Sequence, residues 1–329
     1  MVTEPLALPP CGPGGPDPEA IAASIGAWVT SPALAELVAR FGGTVPGTPV
    51  ADALEHVAEF SRVWDFRGGV RERFDTERID YGGELDARLR ALIHALGLSG
   101  SHRPAHDRYD HVVVLGGGIR VTLGRTEYAA RLLTEGLAAR AVTGLGSLRR
   151  RDDREHREAL RLGLDPVETE ADMMTAGLRR ALDLPEPAAV RGGDDWWHRS
   201  WPAPRPSTAE VHVLAAASTR PPLRANTADT LLGWAEHVHT PVPGERLLFV
   251  TNDPYVLHQH CDVIRLVGAR YGCGVETIGF DEATMRAWGR PLSTTELLQE
   301  VRSALLAMRN LHAALYLDDR NDVRTARRP

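Results

Sequence analysis

Asp110-His-Val-Val-Val-Leu-Gly-Gly-Gly-Ile-Arg120 joins a β-branched apolar run to three glycines. His111 to Leu115 is long enough for one strand and too short for a helix. Gly116, Gly117 and Gly118 follow at once, and a helical pattern resumes at Arg125. Tyr128, Ala129, Leu132 and Leu133 give that helix its apolar face, and Gly136 ends it. Strand, glycine turn and helix together form the first unit of an open α/β sheet. Such sheets bind ligands at the carboxyl ends of their strands. By itself the turn has two readings: a plain βα connection, or a loop whose backbone approaches a ligand with no Cβ in the way.

The same unit recurs downstream. A second strand, Ala139 to Thr143, ends in Gly144-Leu-Gly146. Arg149 to Arg157 is dense in both charges and reads as a solvated loop, or as a flap that brings Arg to an anion. Thr169-Glu-Ala-Asp172 has the form of a capping box. Glu170 then lies in a first helical turn, either complementing the helix dipole or aimed at a ligand. Pro185 to Pro206 interrupts the pattern, and its three tryptophans read as packing residues. The third strand is Val211 to Ala217, and Asn226, Thr227 and Asp229 open the helix after it. The fourth, Arg246 to Val250, leads into Thr251, Asn252 and Asp253, with Asp253 as cap and Pro254 at the first helical position. The fifth is Val275 to Phe280. These units predict a Rossmann-like open parallel sheet of about five strands over 106–290, with a C-terminal helix packing on it over 291–329. The polar turns all fall at one sheet edge, because crossovers between parallel strands are right-handed. Their accumulation there points to a pocket.

The first 105 residues show no strand. Residues 1–17, with five prolines between Pro5 and Pro16, read as a loose tail. Helical spacing then recurs from Pro18, from Ser31, from about Val50 and from Gly83. Arg71 to Arg78 and Asp80-Tyr-Gly-Gly83 have two readings: a solvated charged loop, the preferred one, or a segment that reaches over an active site.

Composition narrows the function classes. At 329 residues, 43% hydrophobic and 25% charged, the chain is that of an ordinary globular protein. A net charge of −6 argues against a general nucleic-acid or membrane-surface binder. No lysine is present, which removes lysine Schiff-base and lysine general-base chemistry. Cys11, Cys261 and Cys273 have neither disulfide nor zinc spacing. His258 and His260 are two apart on a helix and do not face each other, so no metal site is expected. No signal peptide or membrane span is read, which predicts a cytoplasmic protein with a small-molecule ligand. The N-terminal helices leave a homodimer open.

The order of motifs resembles the SanA/YdcF family, the domain of unknown function numbered 218. The stretches that carry the likeness are Val114-Leu-Gly-Gly117, Thr143-Gly-Leu-Gly146, Glu170-Ala171, Asn226-Thr-Ala-Asp-Thr230 and Val250-Thr-Asn-Asp-Pro254. They span roughly 110–281 and are closer to the soluble YdcF type. The resemblance implies a Rossmann-like sandwich that binds S-adenosylmethionine. It also implies a ligand loop at Gly116, Gly117 and Gly118, with Glu170, Asn226, Thr227, Asp229, Thr251 and Asp253 lining the cleft. The family's basic pair after Asp-Pro is replaced here by His258, Gln259 and His260.

Three functions follow as expectations. The first is a protein that binds S-adenosylmethionine or a related adenosine nucleotide, an enzyme of bacterial small-molecule biosynthesis. In it Gly144, Gly146 and Asn252 join the cofactor-binding set, His258 is the acid–base candidate and Glu170 the alternative. His258 is read equally as a partly exposed helix residue. The second is a hydrolase or transferase on a phosphorylated or cell-wall precursor, held by Arg120, Arg125 and Arg224. No Walker loop or Gly-x-Ser-x-Gly elbow supports it. The third is a non-catalytic metabolite sensor.

Overall fold

Among the described residues, seven strands form one sheet: β1 (Arg108–Val114), β2 (Ala138–Ser147), β3 (Ala189–Gly192), β4 (Trp197–Trp201), β5 (Glu210–Ala216), β6 (Arg246–Asn252) and β7 (Gly274–Phe280). Their spatial order is β3-β4-β5-β2-β1-β6-β7. The computed structural model describes residues 4–47, 49–66, 78–98, 103–164, 167–203, 209–221, 223–280, 284, 288 and 291–325, with side chains to 315. The segment 71–77 of the expected charged loop lies outside the described residues.

The five strands β5, β2, β1, β6 and β7 are parallel. Counted in chain order they run 3-2-1-4-5, the doubly wound arrangement. The chain leaves β1 for β2 and β5 on one side, then returns to place β6 on the other. The direction of winding therefore reverses between β1 and β6, the position at whose strand ends doubly wound sheets form a ligand crevice.

The apolar run of β1 is continuous because both faces are buried. Val113 and Leu115 join one core cluster, and Val112 and Val114 join the other. On the second face α5 (Ile119–Thr134) and α7 (Glu170–Leu182) supply Tyr128, Met174 and Leu178. The first face is covered by α1 (Pro18–Val29), α2 (Pro32–Arg40), α3 (Val50–Phe60), α4 (Gly83–Ala95), α8 (Thr227–His237), α9 (Val256–Val263) and α11 (Thr294–Thr325). A π-helical turn, Ile264–Gly268, links α9 to the short α10 (Ala269–Tyr271). Ile25, Trp28, Leu54 and Trp64 from the N-terminal region share one cluster with Phe249 of the sheet and Leu305 of α11. The Trp28 indole nitrogen donates to Leu96 O at 2.8 Å, which ties α1 to the end of α4.

Four sequence expectations change. Two extra strands arise where a loop was read: β3 and β4 form an antiparallel hairpin that adds to β5. Trp201 is buried there and donates to Pro185 O at 2.9 Å. Residues 152–161 are not a solvated loop. Asp152 caps α6 (Asp153–Arg161) in a capping box with Glu155. The segment read as a loose tail is pinned instead. Leu6 N donates to Ala95 O, Val275 N donates to Cys11 O, and Pro9 O lies 2.8 Å from His260 Nε2. Asp80 to Gly83 also does not overhang the strand ends: Ile79 N donates to Thr295 Oγ1, and the Tyr81 ring packs edge-on against Phe41.

No single helix among the described residues is long and apolar enough to cross a membrane.

Candidate functional site

The ends of β2, β1 and β6 emerge side by side, since Val114 is in register with both Gly144 and Val250. Gly116 follows and is tightly enclosed. A Cβ there would stand 2.6 Å from Leu145 O and 2.7 Å from Glu170 Oε1. Only glycine lets the carboxylate of α7 sit against the turn after β1. Gly118 then opens the 16-residue α5 with no side-chain cap. The first backbone N–H groups of such a helix carry the positive end of its dipole.

Glu170 is the central side chain. Ser147, at the end of β2, donates its hydroxyl to Glu170 Oε2 at 2.5 Å. Glu170 N donates to Arg149 O at 3.0 Å, so the first turn of α7 is bound to the segment leaving β2. Burial pushes the Glu170 carboxyl above the usual range, against the pull of Ser147 and Arg149. Arg149 approaches Glu170 Oε2 only to 4.0 Å because its guanidinium is committed elsewhere. It makes two hydrogen bonds to Glu155, of 2.8 and 2.9 Å. The anion-seeking flap read from the sequence is thus an internally neutralised pair.

Arg125 ties the two strands flanking the crevice. It is buried, donates to Leu115 O and Asn252 Oδ1 at 2.9 Å each, and also bonds Gly116 O. Asn252 passes the link on through its amide to Asp253 O at 2.6 Å. One cation therefore fixes the turn after β1 relative to the turn after β6. Thr251 is buried and donates to Gln259 Oε1. Asp253 is not a helix cap: α9 begins only at Val256, with Tyr255 at its N-cap.

The other sequence-predicted residues divide. Gly116 connects Glu170, which sits against it, to Asn252, which Arg125 joins to the Gly116 carbonyl; Asp253 follows Asn252. A Cβ on Gly117 would lie 3.6 Å from Arg125 Nη1, so Gly117 joins them. Gly144 and Gly146 have a packing role. A Cβ on the first would meet the Met174 side chain at 2.4 Å, and on the second Ala171 Cα at 2.5 Å. Asn226 and Asp229 form a reciprocal capping box on α8, whose first residue is Thr227, and Asp229 also accepts from Thr219 Oγ1 at 2.6 Å. His258 belongs to the helical layer: its Nδ1 lies 3.6 Å from Glu300 Oε2 of α11. Arg120 pairs with Glu158 and the Trp288 carbonyl. Arg224 is exposed and contributes to the field at Glu170.

Sequence reading missed Ser147, and took Arg149 and Glu155 as parts of a charged segment rather than as a pair bonded to each other. Ser147 directly follows Gly146 at a strand end, which is the position that could have revealed it. It also missed a cluster at the opposite sheet edge. There His111, His239 and Glu245 place one donor atom each within 4.8 Å of the others.

The model of the Rv3785 N-terminal domain matches residues 12–97. Similar proteins are the uncharacterized protein Rv3785 of Mycobacterium tuberculosis and the uncharacterized protein Mb3814 of Mycobacterium bovis. Each is 29% identical over 91% of both chains. The likeness to SanA/YdcF is thereby corrected: the matches that span the chain, helical N-terminal region included, are to Rv3785 proteins. The motifs misled because glycine turns and Asn, Thr or Asp caps are what any doubly wound sheet needs at its strand-to-helix turns. They therefore recur without kinship.

Proposed function

We propose that the chain binds a small polar ligand in the crevice between β1 and β6, held by the Gly116–Gly118 turn and Glu170. The observation that supports this most is the seating of Glu170 against Gly116. One carboxylate oxygen takes the Ser147 hydroxyl, and the other abuts a turn that only glycine permits. A carboxylate kept this far from water gains most by accepting hydrogen bonds from ligand hydroxyl or amino groups. The uncapped start of α5 supplies backbone donors for an anionic part of the same molecule. Hydroxyls, an amine and an anionic group occur together in adenosine-containing cofactors such as S-adenosylmethionine, which makes these the ligand class of choice. A ligand held chiefly by arginines is disfavoured, since Arg120, Arg125 and Arg149 are already paired. Glu170 is the group able to take or return a proton there.

Thermal unfolding of the purified protein with S-adenosylmethionine, S-adenosylhomocysteine, NAD, ATP and a UDP-sugar tests the reading. A ligand at ~100 times its Kd adds about 2.7 kcal/mol of stability. Glu170→Gln should lower that ligand's affinity at least tenfold. Unshifted midpoints with all five, or a Glu170→Gln variant that binds as well as the parent, would defeat it.

A further inference from the structure

At the edge of the sheet away from Glu170, three donors converge from separate parts of the chain. His111 is the central residue of β1. His239 lies two residues beyond α8. Glu245 immediately precedes β6. The two imidazoles stack with centroids 3.8 Å apart and planes 24° from parallel. His239 Nε2 lies 2.8 Å from Glu245 Oε2. The Trp234 ring packs near both histidines, with centroids 6.0 and 5.9 Å away, and forms an apolar wall. Glu245 is oriented by a second bond, from Val242 N at 3.0 Å.

We propose that His111, His239 and Glu245 form a binding site for a divalent transition-metal ion, zinc in the first instance. Two imidazoles and one carboxylate are a recurrent protein ligand set for zinc and its neighbours, with water completing the shell. The donor atoms already lie within 4.8 Å of one another. A tetrahedral zinc ion needs donors about 3.3 Å apart, so small side-chain rotations close the site.

Arg140 sharpens the argument. Its Nη2 donates to His111 Nε2 at 2.9 Å and to Glu245 Oε1 at 2.7 Å. A guanidinium nitrogen has no lone pair to offer, so the His111 proton must sit on Nδ1 and Nε2 must present its lone pair. That is the tautomer a metal requires. His111 Nδ1 is buried with no hydrogen-bond partner among the described residues. Arg140 thus occupies the place of a cation while its side chain remains 58% exposed and free to swing into solvent. Metal uptake is an exchange: the guanidinium leaves, the His239 Nε2 proton now shared with Glu245 passes to Nδ1 or to water, and the ion takes the two imidazole lone pairs and the Glu245 carboxylate, with no electron transferred. A bound ion would clamp β1, the end of α8 and the start of β6.

Cobalt(II) titration of the full chain, followed by visible absorption, reads coordination directly. We expect one equivalent to bind and zinc to bleach the signal. Arg140→Ala, which removes the competing cation, should tighten binding at least tenfold. His239→Gln should weaken it at least tenfold. His198→Gln, at the neighbouring pair His198–His212, should leave it unchanged. Each variant is checked by its thermal midpoint without metal. Absence of a cobalt band and of zinc stabilisation in both the parent and Arg140→Ala would overturn the proposal. So would His239→Gln binding as tightly as the parent.

Discussion

Gly116 and Gly118 are two residues apart in one turn, yet they respond differently to the same substitution. Gly116→Ala drives a methyl group into Leu145 O, a backbone atom that cannot move aside. A loss of about 1–3 kcal/mol in urea unfolding is expected. Gly118→Ala meets its nearest neighbour at 3.5 Å, an ordinary contact, and should cost less than about 0.5 kcal/mol. Glu170→Gln should have the opposite sign. Because the folded carboxyl holds its proton more tightly than the unfolded one, ionisation at neutral pH costs stability. The variant should melt a few degrees higher at pH 7, and the gain should vanish as pH falls below the ordinary glutamate range. A lower midpoint at pH 7 would contradict it. Arg125→Met strands buried acceptors on both sides of the crevice, with an expected loss of about 3 kcal/mol or more. At this scale the sequence exposed Glu170 and the glycine turn, since both belong to local patterns. It did not reveal that Arg125 is a strut, because its partners at Leu115 and Asn252 meet it only after β6 has paired with β1.

The elements most legible in advance were those with a strong local period, namely the parallel strands and their crossover helices. The β3–β4 hairpin was hidden by prolines and paired tryptophans that carry no alternation. Its stability comes from β5, and from the Trp197 ring under the Arg199 guanidinium at 4.0 Å. The hairpin also brings an acid-sensitive joint. His198 is buried against His212, with 3.1 Å between ring nitrogens. Burial, with the nearby His212 and Arg191, lowers its pKa from 6.5 to about 4. A histidine that charges more readily unfolded than folded stabilises the protein above pH 6.5, and this contribution fades as pH falls from 6.5 towards 4. By pH 5 the loss amounts to about 2 kcal/mol. The midpoint of His198→Gln should therefore fall less between pH 7 and pH 5 than that of the parent. Parallel declines would refute the linkage.

Across the whole molecule, the N-terminal helices are not an appendage. Trp64 is fully buried in the same cluster as Trp234 and Phe249. Single-tryptophan variants that keep Trp64 or Trp234 should report one shared urea midpoint, whereas two midpoints would mean that the layers unfold separately. A chain lacking residues 1–98 should expose the apolar faces of α9 and α11 and lose solubility. Helical spacing alone left two readings open, a layer packed on the sheet or a separate small bundle. Amphipathic stripes say that a face is covered, and not what covers it.

The segment around Cys11 reaches its seat only against β7: the Cys11 thiol donates to the Cys273 carbonyl, 262 positions along the chain. During synthesis, residue 11 leaves the ribosome long before its dock exists. The margin of β7 gains its cover only once both stretches have been made. A contact so distant in sequence forms late. Until it does, an uncovered strand waits, and that interval is when neighbouring nascent chains could join edge to edge.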